Sequence, residues 1–133
     1  MYKVKLIKML WYSDIISYSL YGSAMTGLVY FHAGMGALPK GHYKILELEN
    51  VKVEKEEDYD STRYHILPND KIDLSTLNAN EMDILDQVIN KFRNYSASEM
   101  VEYMHKERAY LETKEGQEIP FSLAKEIKPF CLL

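Results

Sequence analysis

An aspartate lies inside an apolar segment near the start of the chain. The segment, residues 8–22, reads KMLWYSDIISYSLYG and has the composition of a buried helix. In a helix, Asp14 shares one face with Ile7, Trp11 and Tyr18. An unpaired carboxylate on that face would be costly to bury, or would take up a proton. Asp14 therefore either does chemistry or has hydrogen-bond donors close by.

The turn Met25-Thr26-Gly27 supplies such donors. A carboxylate that accepts two or three hydrogen bonds stays ionised and ties two segments of the chain together. We therefore expect Asp14 to accept from the Thr26 hydroxyl and from the backbone N–H groups of Thr26 and Gly27. Catalysis by Asp14 and its contact with a partner stay open as alternatives.

Glu102 and His105 have the Glu-x-x-His spacing that forms half of a carboxylate-bridged di-metal site. The sequence holds no second copy of this pair, and His32, His42 and His65 show no paired spacing. We therefore expect no metal site and no cofactor. For His105, the favoured interpretation is a ring that is hydrogen-bonded in or near the core.

Nucleophilic catalysis has little support in the sequence. Cys131, the one cysteine, lies close to the C-terminus, and no serine stands in a Gly-x-Ser-x-Gly elbow. Gly34 and Gly36 lack the third glycine of a dinucleotide-binding loop. We therefore predict a protein without catalytic residues. The alternative, a hydrolase or nuclease that uses Asp14 and His105, requires both groups to line one open pocket.

The charge and length of the chain restrict its class. Its 133 residues carry a formal net charge of −4, which argues against a protein that mainly binds nucleic acid. Lys3, Lys5 and Lys8 make the start basic, whereas residues 47–60 are rich in carboxylates. We interpret both runs as solvated, with contact to a basic partner as the alternative. A single cysteine and the lack of an apolar run of about 20 residues favour a cytoplasmic protein without a membrane span.

The first half of the sequence predicts one long helix followed by short extended elements. The helix has apolar residues at helical spacing, and the extended segments are bounded by glycine or by polar links. The predicted elements are a helix from Tyr2 to about Ser19, a strand at residues 28–33, a loop at 34–41, a helix or, less favoured, a strand at 40–50, and a hairpin of residues 51–57 with 62–68.

The second half predicts two capped helices, because Asn78 with Glu81 and Ser96 with Glu99 have the spacing of reciprocal capping boxes. The predicted elements are a loop at 70–76, a helix to about Asn94 with a buried stripe of Met82, Leu85, Ile89 and Phe92, a helix at 97–107 with Met100, Val101 and Met104 inside, a turn around Gly116 and a short helix at 122–127. The predicted fold class is α+β: a mostly helical single domain, residues 1–133, with a small antiparallel β-sheet or hairpin.

The chain contains 11 tyrosines, several of them between residues 12 and 30. Tyrosines are common in protein interfaces, although structural use in the core is favoured here. The residues that we expect to form a partner-binding surface belong to the first helix and to the strand and turn that follow: Tyr12, Tyr18, Tyr30, His32 and Met35.

Short motifs follow one another along the chain in a characteristic order. They are Lys8-Met9-Leu10-Trp11-Tyr12-Ser13-Asp14, Tyr21-Gly22, Thr26-Gly27, Tyr30, Gly36-Ala37-Leu38-Pro39 and the segment SEMVEYMHKERAY, which includes His105 and Glu107. Over about residues 5–127 the series resembles the Panacea domain of SocA-like antitoxins and phage-associated GepA-like proteins. The resemblance marks as structural motif Trp11, Asp14, Thr26, Gly27, Gly36, Pro39 and His105. Met35, Ala37 and Tyr110 depart from the family pattern.

The resemblance implies a protein-binding function without catalysis. It predicts an antitoxin that neutralises a cognate protein toxin by direct contact, with no membrane or nucleic acid as partner of this domain. A partner- or ligand-sensing domain of a phage or prophage transcription regulator, and a protease adaptor, are the alternatives. A homodimer stays open, and the domain is either complete in residues 1–133 or the C-terminal part of a longer protein.

Overall fold

The structure is a computed structural model that describes residues 1–48, 51–68 and 74–124. Its α-helices are α1 (Lys3–Tyr21), α2 (Ala79–Phe92), α3 (Ala97–His105) and α4 (Arg108–Leu111). Its strands are β1 (Tyr30–Ala33), β2 (Gly36–Pro39), β3 (Val51–Glu57) and β4 (Thr62–Pro68), and short 3-10 helices cover His42–Glu47 and Phe121–Ala124. The predicted α+β class with small antiparallel pairs of strands is confirmed.

Helix α1 is the central element of the fold. Its residues from Ile7 to Ser17 are buried, except the half-buried Leu10, because α2, α3, β2 and β4 pack around it. A helix surrounded in this way needs no single apolar stripe, which explains why polar side chains such as Ser13 and Asp14 lie in its interior part. The Ser13 hydroxyl donates to the carbonyl of Met9, so its burial leaves no donor unpaired.

Strands β1 and β2 form a hairpin whose turn is Gly34-Met35. The prediction of a loop at residues 34–41 is therefore wrong for residues 36–39, which form β2. A third extended segment, residues 116–119, runs beside β1 and exchanges backbone hydrogen bonds with Tyr30 and His32. The hairpin thus gains a partner that lies more than 80 residues away in sequence, and no local pattern indicates this pairing.

Strand β2 packs tightly between α1 and α3 at Gly36. The backbone N–H of Ala37 donates to the Met104 sulfur at 3.0 Å, and its carbonyl accepts from the Lys8 ammonium at 2.9 Å. Gly36 has φ +114°, and a Cβ at this position would lie 2.6 Å from the Met104 sulfur. Glycine is required here both by the backbone conformation and by the close approach of α3.

Strands β3 and β4 form the predicted hairpin, with Val51 opposite Pro68 and Glu57 opposite Thr62. The start of the chain runs along β4, where the Ile66 N–H donates to the carbonyl of Met1 at 2.7 Å. This contact holds the hairpin against the first turns of α1. Residues 42–47 form a 3-10 helix, so the helical interpretation of residues 40–50 is confirmed for that part.

Both predicted capping boxes are present. In each, the Asn78 or Ser96 side chain accepts from the backbone of the glutamate three residues later, and that glutamate accepts in return. The buried stripe of α2 is shifted from the predicted one: Ile84, Val88 and Phe92 are buried, whereas Ile89 is exposed. Spacing alone allowed either set, and packing against α1 selects the residues four apart.

The remaining predicted elements are only partly described. In α3, Met100 and Met104 are buried as predicted and Val101 is half-buried. The short helix predicted at 122–127 begins as the 3-10 helix Phe121–Ala124, and its residues after 124 lie outside the described residues. Of the loop predicted at 70–76, residues 70–73 lie outside the described residues.

Replacement of Gly36 by alanine tests the close approach of β2 to α3. We expect Gly36→Ala to lower the free energy of unfolding by about 2 kcal/mol or more, because the new methyl group meets Met104 and the backbone is strained. Gly34→Ala is the matched control in the same hairpin, since Gly34 has open space around its Cα. Urea unfolding measures both, and equal stability of the two variants would contradict the close packing of Gly36 against Met104.

Candidate functional site

Asp14 accepts four hydrogen bonds and is fully buried. One carboxylate oxygen accepts from the backbone N–H groups of Met25 at 2.9 Å and Thr26 at 2.8 Å. The other accepts from the hydroxyls of Thr26 at 2.6 Å and Tyr30 at 2.7 Å. The two expected donors of Thr26 are present. The other backbone donor is the N–H of Met25 and not the expected N–H of Gly27. Gly27 instead forms the turn, with φ +74°.

Tyr30 joins the Asp14 site to the aromatic core. Its ring packs edge-on against Trp11 at a centroid distance of 5.0 Å, and Phe121 stacks on the same indole at 5.9 Å. Burial, together with the adjacent Asp14 carboxylate, raises the pKa of the Tyr30 phenol, so this group stays a hydrogen-bond donor. The Asp14 carboxylate thus joins α1 to β1, with both of its oxygens accepting from protein donors.

His105 lies in a stack of rings that includes His32 of β1. The rings of His105 and His32 both stack on Tyr110, at centroid distances of 4.6 and 3.8 Å. The Tyr110 hydroxyl donates to the carbonyl of Ala33, and His32 is hydrogen-bonded to Thr113. The expected ring hydrogen bond of His105 is not found at its buried Nε2, which has no partner among the described residues.

A hydrolase or nuclease that uses Asp14 and His105 requires both groups to line one open pocket, and the described residues do not meet this requirement. Asp14 is inaccessible and both of its oxygens are occupied by structural donors. The His105 ring stacks on Tyr110, and neither Asp14 nor His105 lines the groove at the first turns of α1. In the described part of the chain, no three histidine, cysteine or acidic residues lie together as a metal ion would require.

Two tyrosines of the expected partner-binding surface are buried, so that expectation is wrong for them. Tyr12 and Tyr30 are 0% and 1% exposed, because each packs on residues distant in sequence. The Tyr12 hydroxyl donates to Glu107 at 3.3 Å, and burial raises the pKa of both groups. Tyr18 is half-buried against Phe121.

His32 and Met35, the other two residues of that expected surface, lie in and next to the β1–β2 hairpin. His32 is half-buried. Met35 is 56% exposed at the hairpin turn and lines a groove at the first turns of α1. Of the five residues, Met35 is thus the most accessible, and partner binding by it stays a prediction.

A groove of about 1020 Å³ lies between the first turns of α1, the β1–β2 turn, the start of β4 and the start of α3. Its floor and walls include apolar side chains, among them Val4, Ile7, Met35 and Leu38. No aspartate or glutamate lines it among the described residues. The titratable side chains that line it, apart from tyrosines, are all basic: Lys3, Lys5, Lys8, His42, Arg63 and His65.

Lys8 is the unusual residue of this groove. It is 2% exposed, and its ammonium donates to the carbonyl of Ala37 at 2.9 Å. Burial lowers the pKa of Lys8 to about 8, because the charged form loses hydration. A charge held in this way costs stability, and residues kept at such a cost are frequent at functional sites.

Lys3 and His42 extend the basic wall beside Lys8. Lys3 Nζ lies 2.7 Å from His42 Nδ1, and an ammonium can only donate, so the imidazole accepts at this atom. Burial and the positive charges of Lys3 and Lys8 lower the pKa of His42, which keeps the ring neutral. Burial also lowers the pKa of Lys3. The wall thus concentrates positive charge in a partly dehydrated surface.

The interpretation of the basic start as solvated is wrong for Lys8. At helical spacing Lys8 shares a face with Trp11, Tyr12 and Ile15, all of them buried. This spacing could have indicated a buried lysine. The groove itself had no signal in the sequence, because its walls come from four separate segments.

Removal of the Asp14 carboxylate should destabilise the fold. Asp14→Ala is expected to lower the free energy of unfolding by roughly 1–3 kcal/mol, since it strands the Tyr30 hydroxyl and two backbone N–H groups. Asp60→Ala, an exposed aspartate in the β3–β4 turn, should change it by less than about 0.5 kcal/mol. Thermal or urea unfolding measures the difference, and a wild-type-like Asp14→Ala would refute the junction.

Replacement of Lys8 by methionine should stabilise the protein near pH 7. Between pH 8 and the ordinary lysine pKa of about 10.4, the unfolded chain binds the proton more tightly, so Lys8 makes stability rise with pH. Lys8→Met should remove this rise and increase the free energy of unfolding at pH 7 by on the order of 1–3 kcal/mol. Loss of the hydrogen bond to the Ala37 carbonyl reduces this gain.

Urea unfolding from about pH 7 to 9.5 tests this expectation. This range lies below the pH at which ionisation of the buried tyrosines begins to affect stability. Lys114→Met, at an exposed lysine, controls for the loss of one positive charge. If Lys8→Met is less stable than the wild type at pH 7, the ammonium is a structural contact and its burial is not a net cost.

Comparison with known proteins places this fold in a family. A family model for the antitoxin SocA-like, Panacea domain matches residues 6–110, from α1 into α4. Neither a curated protein nor a solved structure matches the chain. In the described residues no helix is long and apolar enough to cross a membrane. Because the matched region includes Lys8, Asp14, Gly36 and His105 and covers most of the chain, the protein belongs to the SocA-like antitoxin family with a Panacea domain.

Proposed function

We propose that this protein is an antitoxin that neutralises a cognate protein toxin by direct contact in the cytoplasm. The observation that carries the proposal is the match of residues 6–110 to the SocA-like antitoxin family. Within the proposal, residues 1–133 act as one domain. They bind the toxin without chemical modification of it, and with no requirement for a cofactor or nucleic acid.

The geometry of the described residues supports a binding function. Asp14, the strongest candidate acid in the sequence, is used to join α1 to β1. The large groove, by contrast, offers an open surface with apolar and basic side chains, which suits recognition of another protein. Met35 extends this surface at the β1–β2 turn. The functional part of the molecule is therefore proposed to be this groove and its rim.

Co-expression with the product of the adjacent gene tests the proposal. The two genes are placed under separate inducible promoters, and growth is measured after induction of the neighbour with and without this chain. We expect growth arrest by the neighbour and recovery when both are present. Separate promoters remove any route through transcription of the native operon, and a chain with an early stop codon controls for the burden of expression.

Direct contact is measured with purified proteins. An inactive variant of the neighbour is titrated with this chain by calorimetry, and a stoichiometric complex is expected. Recovery of growth without a complex, together with protease-dependent loss of the neighbour, would indicate an adaptor instead. If growth does not recover and no complex forms, the antitoxin function is refuted for this gene pair.

A further inference from the structure

We propose that the groove between α1, the β1–β2 turn, β4 and α3 binds an acidic, amphipathic peptide segment of the partner protein, with Lys8 at its floor pairing with one carboxylate. The identification of this partner as a toxin rests on the proposed function. The chemistry of the segment rests on the groove alone.

The charge of the groove is opposite to that of the whole chain. The protein has 20 acidic and 16 basic residues, yet no carboxylate lines the groove in its described part. On the β3–β4 side of the groove, the Arg63 guanidinium lies 3.8 Å from the Glu56 carboxylate. The His65 ring lies 3.9 Å from the Glu54 carboxylate, so the positive charge of this side is partly neutralised. The α1 side keeps its positive charge and faces the open space.

Three lysines of α1 have no carboxylate within ion-pair distance among the residues that the structure describes. Lys3 contacts the neutral His42 ring, Lys5 donates to the carbonyl of Arg93 at 3.3 Å, and Lys8 donates to a backbone carbonyl. An ammonium has three N–H donors, so each retains capacity for an anionic acceptor. A carboxylate that reaches Lys8 would meet a dehydrated charge, where Coulomb attraction is much stronger than at the surface.

The apolar side chains of the groove select a peptide over a nucleic acid. Val4, Ile7 and Leu38 line it between the basic residues, and Met35 stands 56% exposed at its rim. A peptide in which acidic and apolar residues alternate satisfies both kinds of surface. A polyanionic backbone would leave the apolar side chains uncovered, and it would be repelled by the net charge of −4.

Titration with two synthetic peptides tests the chemistry of the segment without knowledge of the partner. One is a 12-residue peptide of alternating leucine and glutamate, and the other has glutamine in place of each glutamate. We expect the affinity for the acidic peptide to be at least about ten-fold higher than that for the glutamine peptide, and to decrease as the salt concentration rises. Amide chemical shifts should change at α1 and the β1–β2 turn. A single-stranded DNA oligonucleotide of equal charge is the third probe.

Charge reversal locates the effect. Lys3→Glu with Lys5→Glu should abolish the preference for the acidic peptide, whereas Lys106→Glu with Lys114→Glu, the same charge change at exposed sites outside the groove, should preserve it. Circular dichroism checks that both double variants fold. Equal binding of the two peptides, tighter binding of DNA, or equal effects of the two double variants would overturn the proposal.

The same variants separate this inference from the antitoxin function. If the wild-type chain neutralises the adjacent gene product and Lys3→Glu with Lys5→Glu neutralises it equally well, the groove inference fails and the antitoxin function stands. If the wild-type chain does not neutralise it but prefers the acidic peptide through its groove lysines, the antitoxin function fails and the groove inference stands. Lys8→Met should weaken binding of the acidic peptide about ten-fold or more while the protein stays folded.

Discussion

The carboxylate of Asp14 is the interaction on which the rest of the structure depends. It lies inside the central helix α1 and accepts from two backbone N–H groups and two hydroxyls of residues 25–30. These bonds fix the end of the segment that follows α1, and hence the start of β1. Because four donors surround one buried charge, the junction permits little change in the path of the chain.

The placement of β1 decides where the groove lies. Once β1 is fixed, the Gly34-Met35 turn brings β2 back over α1, where Gly36 admits the close approach of Met104. The carbonyl of Ala37 is then in place to receive the Lys8 ammonium. A structural carboxylate in the middle of α1 and a basic groove at its beginning are therefore linked through one short hairpin.

Within one motif of α1, burial stabilises the fold at some residues and costs stability at another. Within KMLWYSD, the tryptophan, tyrosine and aspartate are buried among ring contacts and hydrogen bonds that hold the core. The lysine is also buried, but burial lowers its pKa, and its acceptor among the described residues is the neutral carbonyl of Ala37. The motif thus combines residues that stabilise the fold with one that costs stability and lines the groove.

The sequence alone determined the features that depend on residues close together in the chain. Both capping boxes, the β3–β4 hairpin, the α+β class and the pairing of Asp14 with Thr26 follow from local spacing and from the cost of an unpaired buried charge. Only the tertiary structure decided the features made by distant segments. The packing of β2 against Met104, the burial of Tyr12 against Phe92 and Glu107, and the groove around Lys8 each need partners tens of residues away. Hydrophobic spacing predicts that a face is buried, but it does not predict which residues cover that face.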